Sequence, residues 1–386
     1  MLDIFPYILL FLLLWIGVMG EIFSVKSVQL TLLRGFVLLF LVVFLGLRFN
    51  TGADWFSYTT AFEQMPKQGN YLGWEIGFVW LSNLFYYIFG NYYFLQFFST
   101  CFLFFAVWRV YKKYSNYPMF SLSIFVLLFV LSLLTAQVRQ SWAVAILLLG
   151  TPYIFDGKFV RFFLVVLCAS FFHVSAILAL PLYFLNRKVS WTITIPLILL
   201  SQVFFFFPDL TSEIIDFLIP YLPERLGKIA EVYLKDSIFS GKASFNTGMY
   251  YITTLVIYMY VLLFLYKKNN GQRCFFINSL VVAVMIKSIS LSFPVLERFM
   301  VYYFVFGVLA FSYVLDLKIQ NIKQQIVRAG MALLLFVFFL APCFKTLLST
   351  ETNKLTKRAN NYGWVPYYNV ISYPEEALYR KDWNQE

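Results

Sequence analysis

Three stretches of this chain, ILLFLLLWIGVMG, FVLLFLVVFLGL and MALLLFVFFLA, carry no charged residue. A bilayer hydrocarbon core of about 30 Å takes roughly 17–25 apolar residues as helix. Within lipid only helices and closed barrels satisfy their own backbone. The runs are dense and do not alternate apolar with polar residues, which argues against a barrel. The whole chain repeats the theme. Of 386 residues, 61% are hydrophobic and 13% charged, where a soluble domain carries about 25% charged residues. The expected fold class is therefore an all-α polytopic membrane protein.

About twelve hydrophobic helical segments are expected: 5–20, 29–47, 92–110, 118–134, 140–155, the pair 159–172 and 174–186, then 190–207, 248–266, 274–293, 299–315 and 328–348. The first lacks a basic leader, and Gly20-Glu21 is a poor cleavage site, so it reads as a retained helix. Residues 1–348 form one transmembrane domain in this reading, and 349–386 a tail on the outer side. Lys26, Arg109, Lys112, Lys113, Lys158, Arg161, Arg187, Lys188, Lys267, Lys268, Arg273, Lys318, Lys323 and Arg328 fall in short loops and mark the cytoplasmic side. Loops 48–90, 135–139, 208–247 and 294–298 are then outside. To keep both flanking basic loops inside, residues 159–186 must form a hairpin of two short helices, with His173 at its tip near the outer leaflet. Residues 75–90 begin at Glu75 and contain Asn83, and read as an interfacial helix; if they span instead, the N-terminal loops change sides. The loop 208–247 reads as an amphipathic helix on the outer surface. Cys101, Cys168, Cys274 and Cys343 show no metal-ligand spacing and read as core residues.

Polar groups at membrane depth are expensive, and that makes them informative. On the outer side of this topology lie Arg48 and Asp54, Arg139, His173, and Glu297 with Arg298; Lys287 is a few turns deeper in its helix. Three arginines from distant parts of the chain thus share one leaflet. Guanidinium groups bind phosphate bidentately and keep their charge, which suits a lipid diphosphate. Each residue also has a plainer role open to it. Arg48 can be a snorkelling helix-end cation, Arg298 a partner of Glu297 or Asp54, Lys287 a structural cation, and His173 a satisfied core residue. There is no GxxxxGK[ST] phosphate loop, no His/Cys cluster for zinc and no close pair of outer carboxylates for a divalent metal, so no cofactor or metal is expected. The positive charge is scattered over short loops and forms no nucleic-acid patch.

The run LRFNTGADWFSYTTAFE, with Arg48, Gly52, Asp54 and Tyr58, resembles the first signature of the EpsG/Wzy-type polysaccharide polymerases. The block QVRQSWAVAILLLGTPYIFDGKFVRFFLVVLCASFFHVSAILALPLYFL resembles their second, ERFMVYYFVFGVLAF their third, and WVPYYNVIS their Pro-Tyr tail motif. Val174 stands where many members carry proline, and Ala53 is a mild variation. The resemblance implies a bacterial inner-membrane enzyme that joins oligosaccharide repeat units carried on undecaprenyl diphosphate, donor and acceptor alike, at the outer face. It implies Arg48, Arg139 and Arg298 as diphosphate-binding residues and His173 and Asp54 as candidates for the catalytic base, with Tyr58, Glu297 and Lys287 in support. A chain-length regulator is a further candidate partner. The products open to such an enzyme include O antigen, capsule and exopolysaccharide. The rival expectations are a flippase for the same lipid-linked sugar, an O-antigen ligase, and a glycosyltransferase that uses acids of its first outer loop, where Asp54 and Glu63 lie.

Overall fold

The computed structural model describes residues 4–23, 27–52, 54–70, 72–207, 213–214, 216–217, 219–221, 245–265, 271–291, 296–316, 322–348, 350–352, 359–361, 367 and 369–371. Lys26, Lys267, Lys268, Lys318 and most of the expected amphipathic loop 208–247 lie outside them. Among the described residues the protein is helical, apart from an antiparallel pairing of Thr350–Thr352 with Ala359–Asn361 and an isolated antiparallel bridge between Arg48 and Asn369. Among the described residues, six helices are long and apolar enough to cross a membrane, and seven shorter apolar helical segments accompany them. It is a multi-pass membrane protein. The chain divides into two compact units.

The first unit comprises Met1–Thr151, Leu164–Val174 and Leu315–Glu386. Its helices are α1 (Phe5–Ile22), α2 (Ser27–Gly46), α3 (Trp55–Gln68), α4 (Ile76–Phe89), α5 (Tyr92–Tyr114), α6 (Pro118–Phe125), α7 (Leu131–Leu133), α8 (Val138–Leu149), the greater part of α10 (Phe159–Phe172) and α16 (Ile322–Leu348). A π-helical turn, Val126–Val130, joins α6 to α7. Two polar ties fix the ends of these helices. At one end the buried Glu21 of α1 accepts hydrogen bonds from Arg34 Nε (3.0 Å) and Nη2 (2.6 Å) on α2 and from the Met119 amide (2.9 Å). A buried acid in an apolar bundle must be paired in this way. At the other end, Gln96 of α5 donates to the carbonyls of Gly46 and Arg48, both at 2.8 Å.

α3 was not among the expected segments. Its buried residues Trp55, Tyr58, Thr59, Phe62 and Met65 recur at helical spacing, and Trp55, Tyr58 and Phe62 share one cluster with Phe78 and Phe85 of α4 and Tyr92 and Leu95 of α5. α4 buries Phe78, Ser82 and Phe85 and leaves Ile76, Trp80, Leu84, Tyr87 and Ile88 exposed. Its 14 residues extend about 21 Å, short of the hydrocarbon thickness.

The second unit comprises Pro152–Phe163 and Ser175–Val314. It holds most of α9 (Thr151–Phe155), the start of α10, the 3-10 segment Val174–Leu185, α11 (Trp191–Ser201), α12 (Val203–Phe206), α13 (Phe245–Leu265), α14 (Arg273–Ser290) and α15 (Glu297–Val314). α14 and α15 form its centre. A Cβ on Gly307 would lie 2.8 Å from the Leu280 Cα, so glycine permits the close backbone approach that membrane helices use in place of a hydrophobic drive.

The expected hairpin at 159–186 is present, with one change. Phe159 and Phe162 at the start of α10 pack on Tyr183 near the end of the returning leg, with ring centroids 5.0 and 6.1 Å apart. That leg is a 3-10 helix rather than an α-helix. Its buried residues, Ala176, Ala179 and Leu182, recur every third position, the period of a 3-10 helix, and Pro181 removes one amide donor from the alternative α-helical ladder. The tighter winding rises about 2.0 Å per residue, so 12 residues extend about 24 Å. The 14 residues of α10 extend about 21 Å. The two legs therefore match in height with far fewer residues than two α-helical spans require. Asn278 closes the leg's far end by donating to the carbonyls of Leu185 (2.8 Å) and Arg187 (2.7 Å).

Cys274 and Cys343 are buried and Cys101 half-buried, but Cys168 is exposed, which corrects its reading as core. It lies in line with Val160, Leu164 and Phe171, the exposed apolar stripe of α10.

Candidate functional site

His173 follows α10, its amide donating to the Ala169 carbonyl at 3.0 Å and so extending the last turn. Its ring Nδ1 lies 3.0 Å from Oε1 of Glu75, the residue that precedes α4. The same oxygen accepts the Val174 amide at 3.1 Å. That amide opens the 3-10 leg, where backbone donors lack helical partners, so Glu75 caps the leg from another element. The other carboxylate oxygen, Oε2, pairs with Nη1 of Arg139. One carboxylate thus joins the tip of α10, the returning leg and the first turn of α8.

Local structure holds each member. Asn70 fixes the turn before Glu75: its amide donates to the Trp74 carbonyl (2.7 Å) and its oxygen accepts the Trp74 amide (2.9 Å). The Trp74 ring underlies the Arg139 guanidinium at 4.8 Å, a cation–π contact, and the Tyr58 hydroxyl bonds the same guanidinium. Trp142, one turn after Arg139, stacks on Phe172 at 5.4 Å and donates from Nε1 to Ser99 Oγ at 2.8 Å. Gly77 makes the approach of α4 to α10 possible, because a Cβ there would lie 2.7 Å from the Phe171 carbonyl oxygen.

The electrostatics follow. Arg139 sits at a helix N-terminus, where the backbone dipole disfavours a cation, so Glu75 compensates it. Burial works against an ionised Glu75, but the His173 hydrogen bond and the Arg139 charge outweigh it and hold the carboxyl down at about 2. Burial pushes the Tyr58 hydroxyl up, with the Arg139 charge opposing it. His173, Glu75 and Arg139 are 12%, 14% and 23% exposed at their side chains, so the cluster is sheltered but open to a ligand.

The other expected site residues sit differently. Arg48 is 2% exposed. Its Nη1 donates to the Leu45 carbonyl at 2.6 Å and its Nη2 to the Leu134 carbonyl. Among the described residues no carboxylate pairs with it, and it braces the end of α2 against the segment after α7. Gly52 adds to that brace, with φ +102° and Thr135 where a side chain would go. The described residues of the tail motif lie at the same place. Tyr367 stacks on Phe44 at 4.2 Å, its hydroxyl donates to the Phe44 carbonyl at 2.6 Å, and the Val370 amide donates to the Leu47 carbonyl at 2.8 Å. Asp54 is exposed and precedes α3. In the second unit, Lys287 pairs with Glu297, and Arg298 is exposed in the first turn of α15. The following tyrosines hold the 3-10 leg: Tyr302 hydrogen-bonds Ser175 at 2.9 Å, and Tyr303 donates to the Leu178 carbonyl at 2.6 Å.

A family model for EpsG matches residues 31–369, from within α2 into the tail motif. The chain belongs to the EpsG family. Neither the curated proteins nor the solved structures compared with it give a match. The family is polysaccharide-polymerase-like, and the matched span contains the first three motifs of the resemblance and the first six residues of the tail motif. The residue that the sequence motifs did not bring forward is Glu75. Its one signal is an acid at the start of an apolar helix.

Proposed function

We propose that this EpsG-family protein joins lipid-linked oligosaccharide repeat units into a surface polysaccharide, at the outer face of the bacterial inner membrane. Donor and acceptor are oligosaccharides on undecaprenyl diphosphate. The observation that supports this reading best is the meeting of Arg139 and His173 on one carboxylate. An acceptor sugar hydroxyl attacks the anomeric carbon of the donor, the bond from that carbon to the diphosphate oxygen breaks, and the hydroxyl proton passes to His173. With Nδ1 turned to Glu75, Nε2 is the ring nitrogen that accepts it; histidine is the side chain whose ordinary titration lies nearest neutrality. Negative charge grows on the diphosphate as it leaves. A preorganised guanidinium stabilises that charge, and Arg139 carries this role in the proposal; the resemblance assigns the same role to Arg298. Direct displacement inverts the anomeric centre. Arg48, bonded to the Leu45 and Leu134 carbonyls, braces the segment that leads to Asp54 and the start of α3.

The test is a gel of surface polysaccharide from cells lacking the protein, complemented with wild type, Arg139→Ala, Arg298→Ala or His173→Ala at matched membrane levels. The expected result is a ladder with wild type and single repeat units with each variant. Ladders from all three variants would sink the site, and a null strain that exports no repeat unit at all would favour a flippase.

A further inference from the structure

We infer that Glu75 is the positioning residue of this site, orienting His173 as the base and holding Arg139 in register with it. The inference rests on the polymerase reading above and deepens it. Glu75 occupies the one place from which a single side chain reaches Nδ1 of His173, the amide of Val174 and the guanidinium of Arg139. Accepting from Nδ1–H fixes the tautomer that leaves Nε2 unprotonated and turns the ring about its own axis. Accepting from Val174 N–H fixes the backbone that carries the ring. The two bonds converge on one oxygen, so the imidazole and its backbone cannot move independently. The second oxygen sets Arg139, and Trp74 flattens the guanidinium from below.

Glu75 is not itself the base. Both its oxygens are engaged, and a carboxyl held far below neutrality is a weak proton acceptor at physiological pH. Its effect is exerted through His173. The charged and titratable groups facing His173 from the packed elements, among the described residues of this unit, are Glu75 before α4 and Arg139 on α8, with Tyr58 of α3 behind the arginine.

The experiment uses the full-length protein in detergent or vesicles, with an undecaprenyl-diphosphate-linked repeat unit as substrate. Ladder extension is followed for wild type, Glu75→Gln, Glu75→Asp and His173→Gln, and kcat and KM are separated. Glu75→Gln, which keeps the shape but not the charge, is expected to cut kcat by roughly 100-fold with KM no higher than in wild type, and Glu75→Asp should recover part of the rate. His173→Gln should remove activity. If His173→Gln is inactive while Glu75→Gln keeps the wild-type rate, the positioning role is wrong and the polymerase site stands. If Glu75→Gln raises KM as it loses rate and Glu75→Asp recovers none of the loss, Glu75 is a structural brace only, and the inference is overturned. If His173→Gln polymerises normally, the site reading fails before Glu75 is reached.

Discussion

Replacing Gly77 with alanine tests the geometry of the site from outside it. The new Cβ would stand 2.7 Å from the carbonyl oxygen of Phe171, 3.0 Å from its carbonyl carbon and 3.1 Å from its Cβ. Two of these are backbone atoms of the last turn of α10 and cannot rotate away. Ordinary contact is restored only if α4 and α10 part by about 0.7 Å. The bonds from Glu75 to His173 and Val174, at 3.0 and 3.1 Å, would then stretch beyond about 3.5 Å, where a hydrogen bond is no longer made. One of these bonds is to a charged acceptor from an imidazole and the other from an amide, so the loss is about 3 kcal/mol. If the bonds hold and the helices deform instead, overpacking costs about 1–3 kcal/mol. Three kcal/mol at the base corresponds to a rate loss of about 100-fold. The assay is ladder extension by purified protein, with thermal unfolding in detergent beside it. Gly35→Ala is the control, since nothing lies within 4 Å of a Cβ there, and it should be neutral or slightly stabilising. Gly77→Ala with the activity and melting temperature of Gly35→Ala would refute the approach of α4 to the hairpin tip and the reasoning built on it.

Three further outcomes are expected. Gly52→Ala combines a disfavoured backbone, at φ +102°, with a clash against Thr135; it should cost more than about 2 kcal/mol and lower the yield of folded protein from membranes. Tyr367→Ala removes the ring stacked on Phe44 and its hydrogen bond, about 3 kcal/mol of local docking, and should expose the tail to protease while the bundle stays folded. The third concerns pH. Glu75 is lowered from 4.5 to about 2 on folding, so its stabilisation is complete above about pH 4.5 and fades as pH falls toward 2. The difference in melting temperature between wild type and Glu75→Gln should therefore shrink as pH falls from about 4.5 toward 2; a difference that grows over that range would mean the opposite sign.

The long apolar runs made the bundle legible, because bilayer thickness leaves a charge-free run of that length few alternatives. The hairpin was legible for a related reason: basic residues on both sides of 159–186 required the chain to turn back. Its 3-10 leg was harder to see, since Ala176, Ala179 and Leu182 show a period of three that hydropathy does not register. α3 was hidden by its mixed composition, with two adjacent β-branched residues, Thr59 and Thr60, and Pro66 near its end. Arg48 was legible as important but not in kind. A buried cation bonded to the Leu45 and Leu134 carbonyls and a surface cation awaiting phosphate have the same letter, and only packing separates them. Glu75 was passed over because it lies far in sequence from His173 and Arg139, and nothing in its local context announces a long-range partner.

In the proposed reaction, the carboxylate that orders the base also opposes the substrate. In the resting site Glu75 cancels the charge of Arg139, sparing a half-buried guanidinium the cost of standing alone. A lipid diphosphate must then join or replace Glu75 as the arginine's partner, against repulsion from the carboxylate. Ground-state binding is weakened by this arrangement, but the opposition matters least when charge on the leaving diphosphate is greatest and Arg139 is drawn to it. Selective stabilisation of that late charge is what accelerates the transfer. On this argument Glu75→Gln should bind the free diphosphate product about tenfold more tightly while turning over more slowly, a split between affinity and rate that product inhibition of ladder extension measures directly. Weaker product binding in Glu75→Gln would mean that the carboxylate supports the anion site through Arg139 more than it competes with it.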